Sequence, residues 1–144
     1  MLVKEEFQDL QTSTGPMRVY FYQPNLAEYP HAKFPGARSI FSLLPSTLHS
    51  GVVVFTEIYQ VTGPLHRFCR QIASQGYVVA CNESFHEFEQ PGAAIPYDVE
   101  GTDRGNRYKV EKELAAYDED ATLAIDALVQ HPSCNGKIGA TGGY

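Results

Sequence analysis

A chain of 144 residues, 43% hydrophobic and 19% charged, can bury about two-thirds of its unfolded surface, so a single domain with a real core is expected. A net charge of −6 offers no basic patch to release counterions, which argues against nucleic acid or an anionic membrane as partner. No apolar run approaches the roughly 20 residues needed to span a bilayer, and MLVKEEFQDLQ has acidic residues where a signal peptide needs an apolar core, so the chain reads as soluble and cytoplasmic.

Met17 to Gln23 (MRVYFYQ) is β-rich, Val19 and Phe21 alternating with Arg18, Tyr20 and Tyr22 between the turn Thr14-Gly15-Pro16 and Pro24. Asn25 to Gly36 is a loop. Ala37 to Ser50 (ARSIFSLLPSTLHS) is broken by Pro45 and has neither helical nor strand period, so no element is assigned to it. Gly51 to Phe55 (GVVVF) is a β-branched run of the kind that forms strands buried on both faces. Thr62-Gly63-Pro64 then opens a helix with proline in its first turn. Its stripe is Leu65, Phe68, Cys69, Ile72 and Ala73, and Gly76 closes it. Tyr77 to Cys81 (YVVAC) is a second buried strand, completing a unit of βαβ size.

Asn82 to Gly105 is a long acidic loop, and loops of this length in compact domains are usually functional or disordered. A long helix is expected from about Arg107 to Gln130, with Val110, Leu114, Tyr117, Ala121, Ile125 and Leu128 facing the core. Glu111, Lys112, Glu119 and Asp126 face water on its other side. His131-Pro132 stops it, Asn135-Gly136 turns the chain, and Lys137 to Thr141 begins a last strand. The alternation predicts an α/β fold with a mostly parallel, right-handed sheet flanked by helices.

Cys69, Cys81 and Cys134 lack CxxC spacing and suit reduced, buried thiols, the last lying in a turn. No two of the five histidines stand at i+3 or i+4, so no metal site is expected. Ligands in open α/β sheets bind outside the carboxyl ends of the strands. Glu57 follows GVVVF directly: it is either a solvated glutamate at a strand end or a carboxylate held for a purpose. Arg104 and Tyr108, one helical turn apart, could offer a guanidinium and a phenol to a ligand carboxylate. The plainer alternative is an arginine near a helix start beside a half-buried tyrosine. His66 and His86 read as surface histidines.

Taken together, VVVFTEIYQVTGPLHRFCRQIASQGYVVAC, DRGNRYK and NGKIGATG resemble the dienelactone hydrolase family, a branch of the α/β-hydrolases. The similarity runs from about Gly51 to Thr141 and includes the Met17 to Gln23 strand. It implies hydrolysis of an ester or lactone bearing a carboxylate, without metal or organic cofactor. It also implies a cysteine nucleophile in G-x-C-x-G at a strand-to-helix elbow, with an Asp and a His far downstream. By the same resemblance Glu57 holds the resting nucleophile, Ile58 lends its backbone N–H to the oxyanion hole, and Arg104 and Tyr108 belong to the substrate pocket.

Two departures qualify this. The elbow glycines run into Gly142-Gly143-Tyr144, so Tyr144 occupies or precedes the cysteine position, and a phenol of pKa near 10 is a poor acyl nucleophile at neutral pH. Residues 37–50 also look interposed relative to the family pattern. Residues 1–144 therefore read as one partial domain, the amino-terminal portion of an α/β-hydrolase, truncated before its nucleophile and inactive alone. The alternative is a non-catalytic α/β module binding a small carboxylate or a partner chain.

Overall fold

The computed structural model describes residues 2–26 and 48–142. Most of the expected 37–50 segment, and the elbow residues Gly143 and Tyr144, lie outside these. The segment's last residues do not: β3 spans His49–Phe55, and the His49 N–H donates to Ser133 O at 2.7 Å. His49 and Ser50 are therefore strand, a correction to the reading that gave them no element.

The chain begins with a strand that hydrophobic period did not reveal. β1 (Val3–Thr12) pairs antiparallel with β2 (Gly15–Pro24) from Val3↔Pro24 to Thr12↔Gly15. Gly15 takes φ 115° at the reversal, a conformation that costs glycine little. Only Val3 and Thr12 of β1 are buried, so backbone hydrogen bonding rather than a buried face places this edge strand.

β3 and β4 (Val78–Asn82) pair in parallel, as their unbroken apolar runs require, and β5 (Cys134–Gly142) lies parallel on the far side of β3. The five strands are ordered β1-β2-β4-β3-β5, and β2 meets β4 antiparallel. The sheet is thus mixed, its parallel character confined to β4-β3-β5, while the α/β class stands. Cys134 begins β5 and is buried, not placed in a turn.

Helix α1 (Gly63–Ser74) starts where Thr62 caps it, its side chain accepting from the Leu65 N–H, and Gly76 follows at φ 106°. Leu65, Cys69 and Ala73 of its stripe pack with Tyr22, Val54, Val79 and Cys81 on one face of the sheet. The opposite face joins Val19, Phe21, Val53, Val78 and Ala80 to Leu128. Both faces are covered by helix, which is why β3 and β4 read as continuous apolar runs.

The expected single helix is two. α2 (Val99–Glu111) begins inside the stretch read as loop, where the Asp98 side chain accepts from the Gly101 N–H at 2.7 Å. α3 (Leu114–Val129) follows after Lys112 and Glu113 adopt extended ψ of 129° and 146°. This break resets the helical phase, so the expected face holds only towards its end: Val110 and Leu114 are 80% and 76% exposed, whereas Leu128 is buried and Ile125 packs against the core as expected, with Asp120 and Ala124 also inward. Lys112, assigned to the wet side, is buried. No helix of the described residues is long and apolar enough to cross a membrane.

Candidate active site

The carboxyl ends of β3 and β4 open onto a cavity of about 490 Å³, the position at which open α/β sheets bind ligands. Thr56 through Tyr59 form one wall and Ser84 with Phe85 another, while Lys109 and Tyr117 reach in from α2 and α3. Thr56 Oγ1 and Ser84 Oγ share a hydrogen bond of 2.5 Å that ties the two strand ends together. Glu57 and Ile58 line the cavity and are half-buried. Among the described residues, neither the Glu57 carboxylate nor the Ile58 N–H has a hydrogen-bond partner, so both are free to meet a ligand.

Gln60 holds this wall in shape. It takes φ 65°, is 1% exposed, and its Oε1 accepts from the Phe85 N–H at 2.9 Å. A left-handed non-glycine residue is sparsely populated and persists only where its surroundings demand it. Ile95 N–H donates to Tyr59 O at 3.0 Å, and the Tyr59 and Tyr97 rings meet at 4.6 Å, so the loop after β4 folds back over the wall. α2 lies close enough that a Cβ on Gly105 would sit 2.4 Å from Ile58 O.

Arg104 and Tyr108 do not line the cavity. They converge on one carboxylate oxygen: Arg104 Nε lies 2.8 Å from Glu89 Oε1, and Tyr108 donates to the same atom at 3.0 Å. Tyr108 stacks on Phe88 at 4.6 Å and meets the edge of the cavity residue Phe85 at 5.6 Å. Burial, with Glu89 beside it, pushes the Tyr108 phenol above its ordinary range.

Behind Ser84 lies a buried charge cluster that spacing alone did not expose. Lys112 donates to Ser84 O at 2.5 Å and to Asp120 Oδ2, and lies 3.2 Å from Glu87 Oε1. His86 is not a surface histidine: its side chain is 3% exposed and its Nε2 lies 2.9 Å from Asp120 Oδ2. His66 is half-buried, with Nδ1 hydrogen-bonded to the Tyr22 hydroxyl. Although no histidine pair has metal spacing, His86, Glu87 and Asp120 bring ligand atoms within 4.8 Å of one another. The Lys112 ammonium pairs with both carboxylates. Glu83, buried at the end of β4, accepts from Gly92 N–H at 3.1 Å, and burial raises its carboxyl pKa above the usual range.

A mixed sheet between helices, with a cavity at its parallel carboxyl ends, defines an α/β protein. The dienelactone hydrolase family model matches residues 41–143, and the chain belongs to that family. A Saccharomyces cerevisiae protein described as "Putative carboxymethylenebutenolidase" is 49% identical over 144 residues, 99% of this chain and 47% of that protein. A dienelactone hydrolase structure from Klebsiella pneumoniae, likewise described as putative, shares the fold at TM-score 0.68 and 16% identity, covering 97% of this chain and 49% of its own. A dienelactone hydrolase-like promiscuous phosphotriesterase from metagenomic libraries does so at 0.66 and 17%, covering 99% and 50%. The chain spans about half the length of the relatives it matches.

Proposed function

We propose that these residues form the substrate-facing part of a hydrolase acting on small esters or lactones through a cysteine nucleophile that lies outside them. The observation that carries the reading is the cavity at the ends of β3 and β4, with a carboxylate at Glu57 and an N–H at Ile58 on the same wall that have no partner among the described residues. A carbonyl seated there would develop negative charge on attack, and a fixed N–H donor stabilises such an oxyanion. Glu57 is suited to receive the proton of a thiol, generating the thiolate that attacks.

Cys69, Cys81 and Cys134 are buried in the core, and none lies in the cavity wall. Thiolates react only where they are accessible and their charge is favoured, whereas the neighbouring Cys69 thiol, followed by burial, pushes the Cys81 thiol well above its ordinary range. The 144 residues alone are therefore expected to turn over p-nitrophenyl acetate no faster than buffer. A continuation of the chain carrying G-x-C-x-G is expected to confer activity that Glu57→Gln reduces. Turnover by the 144-residue protein that survives replacement of all three cysteines by serine would refute the cysteine mechanism.

A further inference from the structure

We infer that Glu89 is a built-in occupant of a carboxylate site, and that it tunes the neighbouring cavity towards uncharged esters and lactones. This rests on the hydrolase reading above and narrows its substrate class. Two donors one helical turn apart on α2, a guanidinium and a phenol, meet at a single oxygen, Glu89 Oε1. The guanidinium contact is an ion pair, and the phenol supplies a hydrogen bond to a charged group, roughly twice as strong as a neutral one. The site is partly sheltered, Arg104 and Glu89 side chains being 27% and 16% exposed, and Phe88 covers the Tyr108 ring. Glu100, the other acid near Arg104, is 88% exposed and 3.9 Å away, and does not compete.

Glu89 is also fixed by its own backbone. Its N–H and that of Phe88 both donate to Phe85 O, at 3.1 and 3.0 Å, in a turn whose first residue lines the cavity. An incoming carboxylate that takes the place of Glu89 Oε1 at Arg104 Nε and the Tyr108 hydroxyl must displace Glu89, which disturbs the turn that carries Phe85. A neutral ester or lactone enters without that exchange. The family resemblance suggests a carboxylate-bearing substrate; in this chain the carboxylate is supplied from within.

The test uses the 144-residue protein, its Glu89→Gln variant and the Glu89→Gln/Arg104→Ala double variant, with resonances of Arg104 Nε–H and of residues 56–59 followed by NMR. The probes are 2(5H)-furanone, its 5-carboxylate derivative, and acetate. In the wild-type protein the neutral lactone is expected to shift residues 56–59, and neither carboxylate should move Arg104. In Glu89→Gln, both carboxylates are expected to shift Arg104 and bind at least about tenfold tighter, the worth of one hydrogen bond to a charged group. That gain should vanish in the double variant. Equal carboxylate binding by wild type and Glu89→Gln, or no gain on substitution, overturns the proposal. Should Glu89→Gln not fold, the wild-type protein decides alone: a shift of Arg104 Nε–H with acetate overturns it, and persistence of that resonance unmoved supports it. If no lactone shifts residues 56–59 while acetate still binds Glu89→Gln, the hydrolase reading fails and the carboxylate site stands.

Discussion

Replacing Lys112 by methionine isolates the charge cluster that separates α2 from α3. The ammonium and its partners are withdrawn from water, with side-chain exposures of 1% for Lys112, 3% for Asp120 and 12% for Glu87. Methionine fills a similar volume but leaves two carboxylates facing each other, with His86 as their remaining partner and Ser84 O without its donor. Removing one member of a buried ion pair costs about 3–5 kcal/mol, because the other is left charged and unpaired. For a domain of this size that corresponds to a fall in Tm of roughly 10 °C. Urea unfolding followed by far-UV circular dichroism measures the change at pH 7. Asp120→Asn added to Lys112→Met is expected to recover part of the loss, giving a favourable coupling in a double-mutant cycle. A loss below about 1 kcal/mol, the range of exposed ion pairs, with no coupling to Asp120, would show that the cluster is effectively hydrated and the argument wrong.

Burial holds the His49 imidazole below its ordinary 6.5, and burial followed by the Arg70 charge does the same for His66. The unfolded chain then takes up protons first on acidification, so stability present above pH 6.5 is lost as pH falls from there through the folded-state values. Urea midpoints from pH 7.5 to 5 should decline less steeply in His49→Asn or His66→Asn, and an unchanged slope in both would contradict this. Glu83 works the other way. Its folded carboxyl pKa is raised above 4.5 by burial, so its ionisation costs stability as pH rises through that range. Glu83→Gln should gain on the wild-type protein between pH 4 and 7, and a pH-independent difference would count against it. Gly105→Ala drives a Cβ into the Ile58 carbonyl, so a loss of about 1–3 kcal/mol is expected together with shifted amides at residues 56–59. Unmoved amides would mean that α2 does not seat the cavity wall.

The elements legible in the sequence are those whose signal is local. GVVVF and YVVAC carry their burial in their own side chains, and α1 carries its cap at Thr62, its stripe and its closing Gly76 within one stretch. The position of the cavity follows from the same strands, since their carboxyl ends are where the sheet opens. Tertiary structure alone decided the rest. β1 is held by backbone pairing across an exposed edge and leaves no hydrophobic period to read. The break at Lys112 comes from an ammonium drawn inward by Asp120 and by the Ser84 carbonyl far back in the chain, and His86 is buried by that same Asp120. Arg104 and Tyr108 were visible as a pair, yet their partner Glu89 was not, because it lies in a loop folded back over α2. Periodicity records which face of an element meets the core, whereas charge pairing depends on which loops are brought together in space, and that is settled only when the chain folds.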